Sequence, residues 1–269
     1  MLMTTLQKPQ TTIGARLQRF NFIAGSLHFI QAVILFVILN YELQIPVVTR
    51  FFDQTAEGIR PVTEILFDLP VAVIAPIFLL LSAGFHFLLS PPYYIRRYEK
   101  NIASGINPMR WVEYSLSSSL MISVLMMLGG LNDLPSIVFI FTLNFMMNMM
   151  GLVMELYNQG AKKVKWLPFN LGVIAGIVPW IIGGLYFWVS TSNIADAIPA
   201  YAQAGFILTF IFFNSFAINM WLQYKKVGPW KDYAFGERMY IVLSLVAKTA
   251  LAWVLGTLGQ LKVFRRKTA

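Results

Sequence analysis

Lys248 is the one base inside the apolar run LSLVAKTALAWVLGTL. An unpaired ammonium is costly in such surroundings, so a partner acid is required, and Glu113 in NPMRWVEYSLSSSLM supplies one. Two chemistries suit the pair. One is a structural salt bridge. The other is covalent: burial favours the neutral amine that attacks an aldehyde, and a carboxylate then stabilises the cationic Schiff base. Ser117 lies one helical turn after Glu113 and Ser244 one turn before Lys248, while Tyr114 and Ser118 form a second strip. Such hydroxyls either hydrogen-bond a Schiff base and its counterion or allow close helix packing. His28 and His86, with Gln31 and Ser82 near them in sequence, are suited to accepting a released proton or to static hydrogen bonding. Asn144, Asn148, Asn214 and Asn219 add further polarity of open role. Trp180 (after Pro179 in GIVPW), Phe206, Phe212, Phe213 and Trp253 offer either flat walls for a polyene or ordinary packing.

These residues need elements to hold them, and composition says where those elements sit. The 269-residue chain is 57% hydrophobic and only 12% charged, against about 25% charged in soluble domains. With no cysteine and only two histidines, disulfides, thiol chemistry and a metal site are not expected, and no enzyme constellation stands out. The net charge of +9 is spread in short basic clusters between apolar runs, a pattern that points to a lipid bilayer and not to nucleic acid.

Seven runs are long enough to cross a bilayer: 20–40, 70–90, 108–130, 135–154, 168–189, 201–223 and 239–259. The join LNDLP is very short, but Asn132, Asp133 and Pro135 predict a tight helical hairpin; without that split the count falls to six. The first run follows basic residues without a small-residue cleavage site and is read as a retained helix. The N-terminal stretch through Arg19, the connection around PPYYIRRYEKNIASGINPMR, the region 155–165 and the region 225–238 carry net charges of +3, +3, +2 and +2. The alternate connections are acidic: 41–69 sums to −3, and Asp133 and Asp196 give −1 each. The positive-inside rule then puts the N-terminus in the cytoplasm and the C-terminus outside, against which stand the four basic residues of the tail LKVFRRKTA. The connection 41–69 mixes β-branched and polar residues around Gly58 and predicts a short β-hairpin capping the outer end.

Depth tests the Lys248–Glu113 pairing. Lys248 lies ten residues beyond Arg238, about 15 Å along a helix, whereas Glu113 follows Arg110 by only three residues. The gap closes if Lys248 leans back along its helix and Arg110 reaches outward to headgroups.

The sequence resembles the heliorhodopsins, a family of seven-helix proteins with a cytoplasmic N-terminus. The likeness rests on SAGFHFLLS, RWVEYSLSSSLMI, IAGIVPW, FNSFA and GERMYIVLSLVAKTALAW, spread over most of residues 16 to 255. It implies an all-α rhodopsin-like bundle spanning 20–259, with a cytoplasmic segment 1–19 and an extracellular tail 260–269. It also implies all-trans retinal held on Lys248 as a protonated Schiff base, with Glu113 as counterion. Ser82 and Ser244 match hydroxyls near that nitrogen, Asn144 and Trp180 match chromophore neighbours, and His28 and His86 match a proton-accepting polar cavity on the cytoplasmic side. Ser117 and Phe213 complete the candidate pocket. The family further implies a homodimer in the cell membrane and a slow photocycle that signals, to a cytoplasmic partner, without pumping. Consistent with that, position 117 is a serine and no second acid follows Glu113 in its helix, although Glu155 is the nearest alternative, an interface acid on the plainer reading. The rival expectation is a light-gated or light-driven proton transporter.

Overall fold

A computed structural model describes residues 13–39, 44–55, 58–194 and 200–258. The segment 1–12, Asp196 and the tail 259–269, on which part of the orientation reading rests, lie outside the described residues.

Long apolar stretches satisfy their own backbone polar groups most simply as helices, and each predicted run holds one. Among the described residues seven helices are long and apolar enough to cross a membrane: α1 (Ile13–Ile38), α2 (Ile74–Leu88, which spans together with the 3-10 turn Val71–Val73 before it), α4 (Pro108–Leu128), α5 (Leu134–Tyr157), α6 (Leu167–Ile194), α7 (Ala200–Tyr224) and α8 (Tyr233–Leu258). The chain is a multi-pass membrane protein. A short helix, α3 (Ile95–Ala103), was not expected from hydropathy and lies between α2 and α4. Helix α1 begins at Ile13 and α8 at Tyr233, earlier than the apolar runs, because polar first turns still form the intrahelical hydrogen-bond ladder.

The tight hairpin at LNDLP is present, so the six-helix alternative falls. Asp133 Oδ2 accepts from the Ser136 N–H (3.2 Å) and hydroxyl (2.8 Å) and caps α5, and Gly130 takes the left-handed turn position at φ 101°. At the start of α4, Asn107 Oδ1 accepts from Arg110 N (3.2 Å), with Pro108 in the first turn. Helix ends therefore alternate between a lysine-rich end, where α1 begins, and a hairpin end, where α8 finishes.

The connection after α1 forms antiparallel strands β1 (Gln44–Thr55) and β2 (Gly58–Pro70), with a register irregularity at Val47/Val48. These 12- and 13-residue strands are longer than the short cap expected. Only the root packs on the bundle. Val47 and Val48 are buried, Val48 N donates to Asn132 O (3.0 Å) and Asn132 Nδ2 donates to Pro46 O (2.7 Å). Further out, Phe52 (77% exposed) and Ile59 (74%) project from the ladder.

The largest apolar cluster fills the hairpin half, with Leu35, Val47, Phe78, Ile122, Leu131 and Leu255 among its members. A smaller cluster of Leu17, Tyr98, Ile102 and Ile241 lies under α3. The exposed flanks of α1, α6 and α7, including Phe22, Ile181, Trp188 and Ile207, provide apolar surface for lipid.

Candidate functional site in the bundle core

Lys248 and Glu113 meet in the middle of the bundle, Nζ to Oε1 at 2.5 Å, and both are buried. Lys248 Nζ also donates to Ser244 Oγ (2.9 Å), four residues earlier on α8. That bond requires the side chain to lean toward the N-terminal, lysine-rich end of its helix, the direction helical side chains favour. The Ser82 hydroxyl of α2 reaches Glu113 Oε1 (2.6 Å), with Phe78 O as a second acceptor within reach (3.0 Å). The Tyr114 ring lies 5.1 Å from Nζ.

Glu113 is deep enough because α4 starts inside the bundle. Its cap, Asn107, and Arg110 are both buried beneath α3 and the turn at Gly105. Arg110 accordingly does not reach outward as expected. Its guanidinium turns inward between two further buried carboxylates, with Nη1 on Glu237 Oε2 and Nη2 on Glu155 Oε1, and it stacks over the Tyr240 ring at 4.0 Å. Glu155 is therefore a buried acid and not an interface one. It also accepts from Asn107 N (2.8 Å) and the Tyr233 hydroxyl (2.9 Å). Glu237 accepts from Asn107 Nδ2 (2.5 Å) and the Tyr98 hydroxyl (3.3 Å). Sequence reasoning missed this cluster by treating Arg110, Glu155 and Glu237 as boundary charges. The usable signal was Asn107–Pro108, a helix-start pair ending five residues before Glu113.

The histidines stack on one another with ring centres 5.6 Å apart. His86 Nδ1 lies 2.7 Å from Asn21 Oδ1; an amide oxygen only accepts, so Nδ1 carries the proton and Nε2 the lone pair. Neither His86 Nε2 nor either His28 nitrogen has a hydrogen-bond partner among the described residues. Asn21 Nδ2 donates in turn to Tyr98 OH (3.1 Å). A cavity of about 290 Å³ is lined by Glu113, His86 and Asn21 and, at its far side, by Arg110 and Glu237. His86 faces this cavity directly, and His28 stacks behind it.

Lys248 lines a different, mostly apolar slot of about 370 Å³, walled by Met121, Met147, Phe213 and Phe216. Four of its walls, Met147, Asn148, Phe213 and Phe216, also line a second apolar cavity of about 500 Å³ between α5, α6 and α7. The Lys248–Glu113 pair thus separates a polar compartment from an apolar one. Asn144 Nδ2 donates to Ser118 Oγ (2.7 Å) and Ser119 Oγ (3.1 Å), which ties α5 to α4 behind the slot. Trp180 lines neither cavity; it meets Phe213 edge to face at 5.5 Å and supports that wall from behind. Ser117 is buried, and its hydroxyl has no hydrogen-bond partner among the described residues. Trp253 lies outside the slot: its Nε1 donates to Gln31 Oε1 (3.2 Å) on the outer surface between α8 and α1.

No curated protein matches the chain. The family model for heliorhodopsins matches residues 17–258, from the first turns of α1 to the last residue of α8, and the chain belongs to the heliorhodopsin family.

Proposed function

We propose that the protein is a light sensor in the cell membrane, with its lysine-rich end in the cytoplasm, Lys248 as the point of attachment for all-trans retinal, and Glu113 as the counterion. The family implies a retinal chromophore, and the residues present suit one. A buried primary amine borders a long apolar slot, and a carboxylate already lies at 2.5 Å from it. Lys248 would hold retinal, which when bound would supply light absorption and a light-driven isomerisation.

The remaining chemistry belongs to side chains. Glu113 balances the cation in the dark, and Ser82 and Ser244 hold the carboxylate and the nitrogen in register. A proton released on the polar side meets His86 Nε2, which has a lone pair and no partner among the described residues. From His86 the hydrogen bonds continue through Asn21 and Tyr98 to Glu237.

One observation favours sensing over transport. The buried charges Arg110, Glu113, Glu155, Glu237 and Lys248 all lie at or on the lysine-rich side of the lysine–glutamate pair, whereas the hairpin half is filled by the largest apolar cluster. An ion crossing the bundle would have to traverse that apolar half, where desolvation is costly. The slow photocycle and a soluble signalling partner are part of the same proposal and rest on the family resemblance. The exposed Phe52 and Ile59 support a homodimer that covers the hairpin.

The test is expression with added all-trans retinal. A visible absorption band that vanishes in Lys248→Ala, extraction of the all-trans isomer from dark-kept protein, and no photocurrent under voltage clamp are the expected results. A colourless wild type, or full colour in Lys248→Ala, overturns the chromophore; a steady photocurrent overturns the sensor and leaves the transporter.

A further inference from the structure

At the lysine-rich end a separate concavity of about 300 Å³ opens between the α3–α4 turn, the α5–α6 loop and the α7–α8 loop. Lys162 lines it from one loop, and Lys226 and Lys231 from the other. None of the three has a salt-bridge partner among the described residues. The acid in the concavity, Glu155, is already engaged by Arg110, Asn107 N and the Tyr233 hydroxyl. The concavity therefore holds uncompensated positive charge.

Basic loops at one membrane face are ordinarily a matter of topology alone. Here the walls are fixed by buried or clasped amides. Asn158 Oδ1 accepts from Lys165 N (2.7 Å) and its Nδ2 donates to Met154 O (2.9 Å), which pins the α5–α6 loop to the end of α5. On the opposite wall, Trp230 Nε1 donates to Asn219 Oδ1 (2.7 Å), and Asn219 Nδ2 donates to Gly236 O (3.1 Å). Lys226, at φ 54°, takes the left-handed position that ends α7, with Val227 N donating to Leu222 O (3.1 Å) and Lys226 N to Gln223 O (3.2 Å). Gln223 lines the concavity at 8% exposure, and its Oε1 has no hydrogen-bond partner among the described residues.

Three ammonium donors beside one buried, unsatisfied carbonyl select for a ligand that carries both negative charge and a hydrogen-bond donor. We infer that this concavity binds a hydroxyl-bearing phosphate ester, with Lys162, Lys226 and Lys231 on the phosphate oxygens and Gln223 Oε1 accepting from the hydroxyl. The headgroup of phosphatidylglycerol and a soluble glycerol phosphate share this chemistry. Glu155 connects the site through Arg110 and Glu237 to the polar cavity beside Lys248, so a change of affinity on illumination has a physical route. That link to light rests on the photoreceptor reading; the binding site does not.

Binding is accordingly measured on full-length protein produced without retinal. In phosphatidylcholine nanodiscs, sn-glycerol 3-phosphate is titrated by calorimetry; in discs that also contain phosphatidylglycerol, native mass spectrometry counts the retained lipid. Saturable binding of glycerol phosphate assigns a soluble ligand, and retention of phosphatidylglycerol assigns a headgroup. The combined Lys162→Gln, Lys226→Asn and Lys231→Gln variant weakens either at least about tenfold, the equivalent of one charge-assisted hydrogen bond. Asparagine at 226 keeps the left-handed backbone accessible. Lys163→Gln, next to the concavity in sequence but not in its lining, leaves binding unchanged. If the combined variant loses its helical circular dichroism, Gln223→Leu alone abolishes the preference for glycerol phosphate over inorganic phosphate. Absence of saturable binding by both probes, or equal weakening by Lys163→Gln, overturns the proposal, and neither result bears on whether retinal gives colour.

Discussion

Replacing Arg110 with methionine removes the guanidinium that lies between Glu155 and Glu237 and leaves two buried carboxylates with no cation between them. Breaking a buried ion pair from one side costs about 3–5 kcal/mol. The stacking over Tyr240 at 4.0 Å is lost as well, worth about 0.5–2 kcal/mol. Asn107, Tyr98 and Tyr233 continue to donate to the two acids and soften the loss, so the net expectation is about 4 kcal/mol. Arg110→Lys keeps the charge but cannot fork to both acids, and loses about 2 kcal/mol. Adding Glu237→Gln to Arg110→Met leaves one carboxylate in place of two and restores about 2 kcal/mol. The assay is reversible unfolding in mixed micelles of rising dodecyl sulfate content, followed by helical circular dichroism. A loss below about 1 kcal/mol for Arg110→Met, or no rescue by Glu237→Gln, would show that the cluster is solvated and that the buried geometry is wrong.

Other perturbations test separate parts of the structure. Glu113→Gln in the retinal-bound protein moves the absorption maximum to longer wavelength, because losing the counterion narrows the excitation gap; an unchanged spectrum removes Glu113 from that role. Gly151→Ala places a methyl group against the Trp111 ring and lowers stability by about 1–3 kcal/mol in the same unfolding assay; a neutral result contradicts the close approach of α5 to α4. Burial, with the nearby Glu237 carboxylate, pushes the Tyr98 phenol well above its usual value. The stability this confers is present below about pH 10 and is lost as pH rises further, so Tyr98→Phe shows a shallower fall in unfolding midpoint between pH 9 and 11, and identical slopes refute the assignment. Phe52→Ser with Ile59→Ser converts a dimer to a monomer in light scattering, and an intact dimer takes the hairpin out of the interface.

The seven crossings and the α4–α5 turn were legible because apolar length and turn residues are local properties. The meeting of Lys248 with Glu113 was legible for a similar reason, since each stands inside an apolar run. Arg110 was not. Its depth was inferred from the edge of an apolar run, but the depth of α4 is set by how α3 and the turn at Gly105 fold across the lysine-rich end and carry the capped start of the helix inward. The same error hid Glu155, read as an interface acid, and Glu237, counted with the basic connection 225–238. Two acids within regions otherwise rich in lysine and arginine were the available hint. Hairpin length escaped for a different reason: the β1–β2 ladder satisfies its own backbone groups, so the strands extend past the point where the bundle surface ends.

The two charge sites are not independent, because α4 carries both. Arg110 and Glu113 are three residues apart, about 4.5 Å of helical rise, and the cavity between the sites is lined by Glu113 on one side and Glu237 on the other. Across a distance on the order of 10 Å, at an effective dielectric of about 20, moving one unit charge changes the energy of a second by about 1.7 kcal/mol. That exceeds the net worth of a typical hydrogen bond, about 1 kcal/mol. On the proposed reading, withdrawing a cation from Glu113 therefore changes the energy of Glu237 by more than one of its hydrogen bonds is worth. The donors to Glu237 and Glu155 are Asn107 at the start of α4, Tyr98 on α3 and Tyr233 at the start of α8. Each anchors an element of the lysine-rich end, whereas no salt bridge joins described residues in the hairpin half. On the proposed reading, a charge displaced at Lys248 acts first on the hydrogen bonds at one end of the bundle, the arrangement that the proposed sensor role needs.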